Sequence, residues 1–572
     1  MSRHQDSQTD RKREETQFTP YSAEAIAQQY RYKPWQLFGR AFVITWSLGL
    51  FLLSLLWDKW TKQEEANKYR RASELRQILT RLGPTFIKVG QALSTRPDLV
   101  RKDFLDELVK LQDQLTPFDN DIAFALIETE LGMPVEKAYR EISPTPVAAA
   151  SLGQVYKAIL PTGEEVAVKV QRPGLRALLS LDLYLMRWAA QKFGRLLPLN
   201  LGHDLTLIVD EFGTKLFEEI DYQNEGRNAE KFATNFQNNP EVKVPSIYWR
   251  YSGRRVLTLE WIDGYKLTDT ENIKALGLDP NNIVKIGVTS GLQQLLEHGF
   301  FHADPHPGNL FATFDGRMAY IDFGMMDQLE EETKETLASC VVDLINKDYE
   351  NLASNFVKLG FLTPETDIKP IIPALERVLG NAIGQRVGDF NFRTITDDFS
   401  ELMYEYPFRI PAKFALIIRS LVTQEGAALT LDPNFKIVQV AYPYVAKRLL
   451  TGESPQLRRR LLDVLFKNGK FQWQRLENMI TMARSESNFD LLPTAQLGIT
   501  FLLSEEGRYL RRQLLLALTE DDRLHTAEVQ RLWSLIQGEL QPRRLLDVAM
   551  SAFRELSAQG VAAVLPGETS SR

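Results

Sequence analysis

The stretch His302-Ala-Asp304-Pro-His-Pro-Gly-Asn309, followed by Tyr320-Ile-Asp322-Phe-Gly324, decides how this chain is interpreted. Asp304 and Asn309 have the spacing of a catalytic loop in which the aspartate faces an attacking hydroxyl or water and the asparagine holds Mg²⁺. Asp322 fits the second metal-binding carboxylate, at the turn after a strand. The apolar runs between these motifs flank an Asp-Gly pair, which predicts a β-hairpin that holds them close together. The residues therefore predict phosphoryl transfer from ATP.

A β-rich region earlier in the chain supplies the rest of a predicted nucleotide site. Residues 154–160 and 165–170 have the pattern of two strands joined by a turn. Lys169 lies on the second strand, where a kinase carries the lysine that binds the α- and β-phosphates, and we assign it to catalysis with Asp304. A single long helix expected over 204–236 provides Glu225 as the partner of Lys169. Glu260 and Ile262, where a later strand connects to the helical half, complete the predicted nucleotide contacts.

The loop before the first strand is rich in alanine where kinases carry glycines. Glycine lets the backbone approach phosphates closely, so the alanines predict a different cover over the nucleotide. The predicted nucleotide-binding residues of this loop are Ala148, Ala149, Ala150, Ser151, Gly153 and Val155.

Composition restricts the class of protein. The chain has 572 residues, 44% of them hydrophobic, which is enough for several domains with large cores. Its net charge of −6 indicates no nucleic-acid partner. A single cysteine, Cys340, excludes an intramolecular disulfide. The polar, charged start of the chain is expected to be disordered.

One segment concerns membranes. Residues 41–57 carry no charge, and Trp35, Trp46, Trp57 and Trp60 resemble aromatic residues at a membrane interface. A helix of this length rises roughly 25 Å, at the lower limit for a hydrocarbon core of about 30 Å. Three interpretations remain open: a spanning helix, a helix lying in the interface or docked on a membrane-facing surface, and a buried core helix. We favour peripheral attachment.

Taken together, the motifs resemble the UbiB family of atypical, protein-kinase-like ATPases, also described as aarF-domain or ADCK-type kinases. The aromatic-rich segment before residue 60 resembles the cyanobacterial or plastid branch. The resemblance implies an α+β, two-lobed protein-kinase-like fold with a helical N-terminal extension and an all-helical C-terminal region. The motifs that carry it are Lys88-x-Gly90-Gln91, Ala148-Ala-Ala-Ser151, Lys169, Glu219-Ile-Asp221 with Glu225, His302 to Asn309, and Asp322-Phe-Gly324. Arg409-x-Pro411 and Leu431-Asp432-Pro433 resemble the family's later signature.

The predicted domain boundaries follow from this resemblance and from the helical and strand patterns. They are a disordered tail at 1–20, an apolar membrane-associated or docking region at 21–66, a helical extension at 67–140, a kinase-like N-lobe at 141–265, a C-lobe at 266–450 and a helical region at 451–572.

Several features depart from protein-phosphorylating kinases. Ala303 replaces the arginine that pairs with an activation-loop phosphate, and no long activation segment follows Gly324. In the family, Lys88 is implied to pair with Glu219 over the substrate cleft. We therefore interpret Lys88, Gly90, Gln91, Glu219 and Asp221 as regulatory residues that exclude peptides. His302 is predicted to anchor the catalytic loop rather than to bind zinc, because prolines break any helix there.

The resulting functional hypothesis is an enzyme that uses ATP and Mg²⁺ and supports isoprenoid-quinone or prenyl-lipid metabolism at a membrane. The predicted partners are prenyl-lipid or quinone-pathway molecules, a membrane surface and quinone-biosynthesis proteins. The predicted location is the cytoplasmic side of a membrane, thylakoid or plasma membrane, by peripheral or single-pass attachment. A genuine protein or small-molecule kinase and a nucleotide-binding regulatory scaffold are the alternatives.

Overall fold

The structure is a computed structural model and describes most of the chain as far as residue 483. The described residues are 20–94, 100–111, 117–194, 205–383, 405–406, 408–432, 435, 437–451, 461, 465–467, 470–483 and 530–531. The predicted disordered tail, a helix end expected at residues 96–97 and most of the predicted region 451–572 lie outside them. The chain divides into two compact units. The first comprises Met1–Ile286, His302–Asp327 and Ala412–Leu431; the second comprises Gly287–Phe301, Gln328–Pro411 and Asp432–Arg572.

The first unit begins with helices. They are α1 (Ala23–Tyr30), α2 (Pro34–Trp60), α3 (Glu64–Leu82), α4 (Pro84–Leu93) and α5 (Lys102–Leu108). The Gly83-Pro84 pair, which is typical of a helix start, forms the boundary between α3 and α4: Gly83 has a φ of +100°, and Pro84 occupies the first position of α4. One face of α2 packs through Phe51 against Leu79 of α3, in a core shared with α4 and α5. By length and composition alone, α2 could cross a membrane.

A five-stranded sheet forms the β-rich part of this unit. It contains β1 (Glu141–Ile142), β2 (Ala148–Ala149), β3 (Gly153–Ile159), β4 (Glu165–Gln171) and β6 (Val256–Glu260). The strand order is β1-β3-β4-β6, and β2 pairs with β3. The predicted hairpin is confirmed as β3 and β4, whose buried Tyr156 and Val168 pack on α6 (Asn120–Leu131) and α7 (Val135–Ala138).

The single helix expected over residues 204–236 is wrong. The chain forms α9 (Leu205–Glu219) and α10 (Tyr222–Asn235), after α8 (Leu175–Phe193). The break has a local cause: Asp221 has extended backbone and its carboxylate accepts a hydrogen bond from the N–H of Gln223, which caps α10. Glu219 and Glu225 therefore lie on different helices.

A second sheet contains the hairpin between the two predicted catalytic motifs. Its strand order is β5 (Val242–Lys243), β10 (Met318–Tyr320), β9 (Leu310–Thr313) and β7 (Gly264–Lys266). The predicted Asp-Gly hairpin is confirmed as β9 and β10, with Gly316 at a φ of +82°. Helices α11 (Thr270–Ala275) and α12 (Pro280–Gln293) follow β7, and α16 (Ala412–Leu431) returns to the same unit.

The second unit is mainly helical. Its helices are α13 (Glu331–Ile345), α14 (Tyr349–Lys358), α15 (Ile371–Ile383), α17 (Val438–Thr451) and α18 (Trp473–Ala483). Two short strands, β8 (Phe300–His302) and β11 (Met326–Gln328), lie where the chain passes between units. The region predicted to be all-helical also contains a small hairpin, β12 (Phe466–Lys467) with β13 (Lys470–Phe471). The sequence between these strands is Asn-Gly, the pair most favoured in two-residue hairpin loops.

Candidate active site

The structure brings Lys169 and Glu225 together. Lys169 on β4 forms an ion pair with Glu225 in the first turn of α10, and the Glu225 side chain is 5% exposed. Burial opposes the charge on Lys169, but the carboxylates of Glu225 and Asp322 outweigh it and raise the lysine's pKa. The Lys169 ammonium is therefore fully charged at neutral pH and available to phosphate oxygens.

Helix α10 also fixes the segment after Asp322. The Phe323 N–H donates to the Glu225 carboxylate at 3.4 Å, and Asn228 donates from its amide to the Phe323 carbonyl at 3.0 Å. One helix thus holds both the lysine and the predicted metal-binding turn. Asn228 belongs to no motif quoted above, and sequence reasoning missed it.

Asp322 and Asn309 form the second cluster. The Asn309 Nδ2 donates to Asp322 Oδ2 at 3.0 Å, and the Gly324 N–H donates to Asp322 Oδ1 at 3.0 Å. Burial would raise the pKa of Asp322, but the nearby Lys169 ammonium and the Gly324 N–H outweigh it and lower that pKa to about 2. The carboxylate is therefore ionised, and the Asn309 amide keeps its oxygen for a cation.

These donors fit the predicted cofactor. Mg²⁺ prefers oxygen ligands, uses few protein carboxylates and takes its other ligands from phosphates and water. The ionised Asp322 and the Asn309 amide oxygen are such ligands, and the Lys169 ammonium suits the phosphates of ATP.

Asp304 is held from two directions. Its backbone N–H donates to Nδ1 of His302 at 3.1 Å, and its carboxylate forms an ion pair with Arg419 of α16. Burial lowers the pKa of His302, so its ring is neutral at pH 7 and Nδ1 is free of a proton. This geometry agrees with the predicted anchoring role of His302.

Arg419 is the second residue that sequence reasoning missed. It lies more than a hundred residues after Asp304 and outside the quoted motifs. No local pattern in the sequence pointed to it, because the ion pair joins two residues that are far apart along the chain.

The alanine-rich loop forms a tight connection between β2 and β3. Ala148 pairs with Val155 and Ala149 with Gln154, while the Ala150 N–H donates to the Gly153 carbonyl at 2.8 Å. Val155 pairs in turn with Lys169, so Ala148, Val155 and Lys169 form one row on the same sheet face. Ser151 is buried in the turn.

Gly153 is required for close packing. A Cβ there would lie 2.5 Å from both the Tyr222 hydroxyl and the Val170 carbonyl oxygen. Backbone packing is therefore enough to explain this glycine, and the nucleotide contacts assigned to the loop stay a prediction.

The structure does not bring the Glu260 carboxylate to the site. Glu260 pairs with Val166, so its side chain leaves the sheet on the face opposite Lys169. There it accepts from Lys243 at 2.5 Å and from the Ser246 N–H at 3.0 Å. Any nucleotide contact by Glu260 would use its backbone. Ile262 is half-buried in the connection that follows β6.

The predicted regulatory pair is present. Lys88 on α4 and Glu219 at the end of α9 form an ion pair of 2.5 Å, with side chains only 8% and 12% exposed. A Cβ on Gly324 would lie 3.4 Å from both Glu219 Cγ and Asp322 Oδ1, so this pair lies beside the predicted metal-binding turn.

The remaining members of this motif have structural contacts. A Cβ on Gly90 would lie 2.2 Å from Leu111 Cδ1, so a larger residue there would force the Leu111 side chain to move. Gln91 donates to the Leu111 carbonyl at 3.1 Å. Asp221 caps α10, as described above. Their regulatory assignment stays a prediction.

The fold and the site together define a protein of the kinase-like class, with a lysine–glutamate pair, an Asp–Asn cluster and a catalytic-loop aspartate in one unit. Comparisons with known proteins agree. The ABC1 atypical kinase-like domain matches residues 110–356, and the UbiB helical domain matches residues 375–436.

Individual relatives place the chain more closely. An uncharacterized protein of Synechocystis sp. is 74% identical over 546 residues, which cover 96% of each chain. Protein ACTIVITY OF BC1 COMPLEX KINASE 1, chloroplastic, of Arabidopsis thaliana is 47% identical, covering 91% of this chain and 76% of that protein. A solved structure of a Mycobacterium tuberculosis protein with erythromycin covers 60% of this chain and 88% of its own, at 26% identity and a TM-score of 0.44. The chain belongs to the ABC1/UbiB family of atypical kinases, in its cyanobacterial and plastid branch.

Proposed function

We propose that this protein transfers the terminal phosphoryl group of ATP, with Mg²⁺, to water or to a small or lipid acceptor rather than to a peptide. The observation that carries the proposal is the convergence of Lys169–Glu225, Asn309–Asp322 and Asp304–Arg419 within one compact unit. A nucleotide-binding scaffold without turnover would not need all three.

Each pair has a separate task in this reaction. Lys169, kept charged by Glu225, orients the phosphates. Asp322 and Asn309 would hold Mg²⁺, which when bound offsets phosphate charge. Arg419 holds one oxygen of Asp304, and the other oxygen takes the proton of the attacking hydroxyl or water.

Two features support exclusion of peptides. Only residues 325–330 separate Gly324 from α13, and Ala303 ties this segment to the catalytic loop by donating to the Met325 carbonyl at 2.9 Å. The buried Lys88–Glu219 pair lies beside Gly324. Both features restrict the surface where a peptide would lie in a protein kinase.

The proposed biological setting is isoprenoid-quinone or prenyl-lipid metabolism at a thylakoid or plasma membrane, together with quinone-biosynthesis proteins. The chloroplastic location in the printed name of one relative supports the plastid-type membrane, and the apolar helix α2 supports a lipid surface. A genuine kinase for a protein or small molecule is the alternative.

The test is ATP turnover by the full chain and by Asp304→Asn, with Mg²⁺, with and without vesicles that contain quinone-like lipids. We expect phosphate release that the vesicles stimulate and that Asp304→Asn abolishes. Transfer of labelled phosphate to an added protein in stoichiometric yield would favour the alternative. Nucleotide binding without turnover by the wild type would contradict the proposal.

A further inference from the structure

The outward face of α2 is apolar along its whole length. Six side chains at intervals of three or four residues form it, and each is 51–66% exposed: Phe38, Phe42, Trp46, Leu50, Leu53 and Trp57. At the 1.5 Å rise of a helix, the 27 residues of α2 extend about 40 Å. A contiguous apolar surface of this extent is unusual on a protein exposed only to water.

The inward face of the same helix packs against other helices of the protein. Ile44, Leu48, Phe51 and Leu55 repeat with helical spacing and pack in the core formed with α3, α4 and α5. Because both faces of α2 are apolar and only one has a protein partner among the described residues, the outward face requires another apolar environment.

Ion pairs fasten both ends of α2 to the folded unit. Near its start, Arg40 binds the buried Asp182 of α8 through two nitrogens, at 2.6 and 2.8 Å. Near its end, the buried Asp58 accepts from Arg71 of α3 at 2.6 Å and from Asn67 at 2.9 Å.

Helix α3 runs antiparallel along α2, from Arg71 beside Asp58 to the Leu82 carbonyl beside Arg40. It exposes charged residues such as Glu65 and Arg70. A charged helix beside α2 cannot enter a hydrocarbon core, so α2 cannot cross a bilayer while these contacts persist.

Both ends of α2 carry exposed positive charge, which suits a membrane surface with anionic headgroups. Arg31, Lys59 and Lys62 are exposed at the two ends, and the only acidic residue between positions 31 and 62 is the internally paired Asp58. Tyr32 and Trp60 are also exposed there, as aromatic residues are at membrane interfaces. Basic ends flanking an apolar face are complementary to a leaflet with anionic headgroups.

We infer that α2 docks flat in one leaflet of an anionic lipid membrane and does not span it. The inference rests on the membrane location in the proposed function and names how that location is reached. It also selects the interfacial alternative among the three that the sequence leaves open.

Vesicle flotation without ATP tests the inference separately from catalysis. The full chain should float with phosphatidylglycerol–phosphatidylcholine vesicles. The double variant Trp46→Glu with Leu53→Glu should bind at least about tenfold less, because two charges enter the apolar face. Val109→Glu, at a matched exposed apolar position just after α5, should bind as the wild type does. Equal binding by the double variant, or no binding by the wild type, would overturn the inference.

Topology is tested with single cysteines on a Cys340→Ser background. Arg31→Cys and Gln63→Cys lie at exposed positions just outside the two ends of α2. If α2 lies flat, an impermeant maleimide added outside should label both on protein bound to preformed vesicles. Protection of one end would show a spanning helix and refute the inference. Unchanged ATP turnover of the Trp46→Glu, Leu53→Glu variant in vesicle-free buffer would show that lost flotation does not reflect a lost active site.

Discussion

Replacing Arg419 with glutamine should reduce turnover far more than nucleotide affinity. Arg419 contacts Asp304, whereas the Lys169–Glu225 and Asn309–Asp322 pairs, to which we assign the binding of ATP and Mg²⁺, do not include it. We therefore expect kcat to fall and KM for ATP to change less than about threefold, because only the orientation of Asp304 is lost.

The magnitude follows from burial. The side chains of Arg419 and Asp304 are 13% and 20% exposed, so the pair is partly screened by water. Removing one partner of a fully buried pair costs about 3–5 kcal/mol. Because this pair is partly exposed, we expect a cost near or below the lower end of that range. A loss of about 2.7 kcal/mol of transition-state stabilisation corresponds to about a hundredfold fall in kcat.

The assay is steady-state Mg²⁺-dependent phosphate release, with thermal unfolding measured on the same samples. Arg419→Lys keeps the charge without the planar guanidinium and should recover about a tenth of wild-type activity. Arg377→Gln is the matched control, because Arg377 forms an exposed ion pair with Glu405. Turnover of Arg419→Gln within threefold of wild type, or above it, would refute the role of Arg419 in positioning Asp304.

Three further predictions address the metal site, the helical packing and pH. Asp322→Asn should abolish Mg²⁺-dependent nucleotide binding, measured by calorimetry, while Asp315→Asn on the exposed hairpin should not; equal binding by both would contradict the metal assignment. Gly90→Ala should lower the unfolding temperature, because overpacking against Leu111 costs about 1–3 kcal/mol, whereas Gly39→Ala, with open space around it, should not; equal unfolding temperatures would contradict the packing argument. Burial and the neighbouring Asp348 raise the pKa of Asp343 to about 7, so its protonated form is favoured in the folded state and stability should fall as pH rises from about 4 to 7. Asp343→Asn should flatten this dependence and raise the unfolding temperature at pH 8; a steeper dependence would contradict the assignment.

Local patterns predicted the site because its residues lie in short, ordered motifs. The Asp-Gly hairpin and the lysine strand each follow from a few neighbouring residues, and Glu225 was found as a carboxylate on the expected helix. The break at Asp221 was missed because the apolar spacing of α9 and α10 continues the same helical pattern, and only the cap reveals it.

Contacts over long sequence distances were beyond such patterns. Arg419 contacts Asp304 from a helix more than a hundred residues away, and strand register puts the Glu260 side chain on the sheet face opposite Lys169. The sequence left the membrane role of α2 undecided because that role also depends on distant contacts. Whether α2 spans, docks or is buried depends on Asp182 and Arg71, which lie on other helices.

Because α16 returns to the unit that contains the candidate active site, truncated forms of the protein can lose part of that site. The matched kinase-like domain covers residues 110–356, yet Lys88 precedes it and Arg419 follows it, and both contact the site within one compact unit. A fragment cut at the limits of the matched domain would keep every quoted catalytic motif and still lack both cations. A premature stop after residue 356 would likewise keep the predicted catalytic motifs and remove the partner of the Asp304 carboxylate. The part of the chain that the proposed activity requires is therefore longer than its motifs, and α16 cannot be lost without changing the surroundings of Asp304.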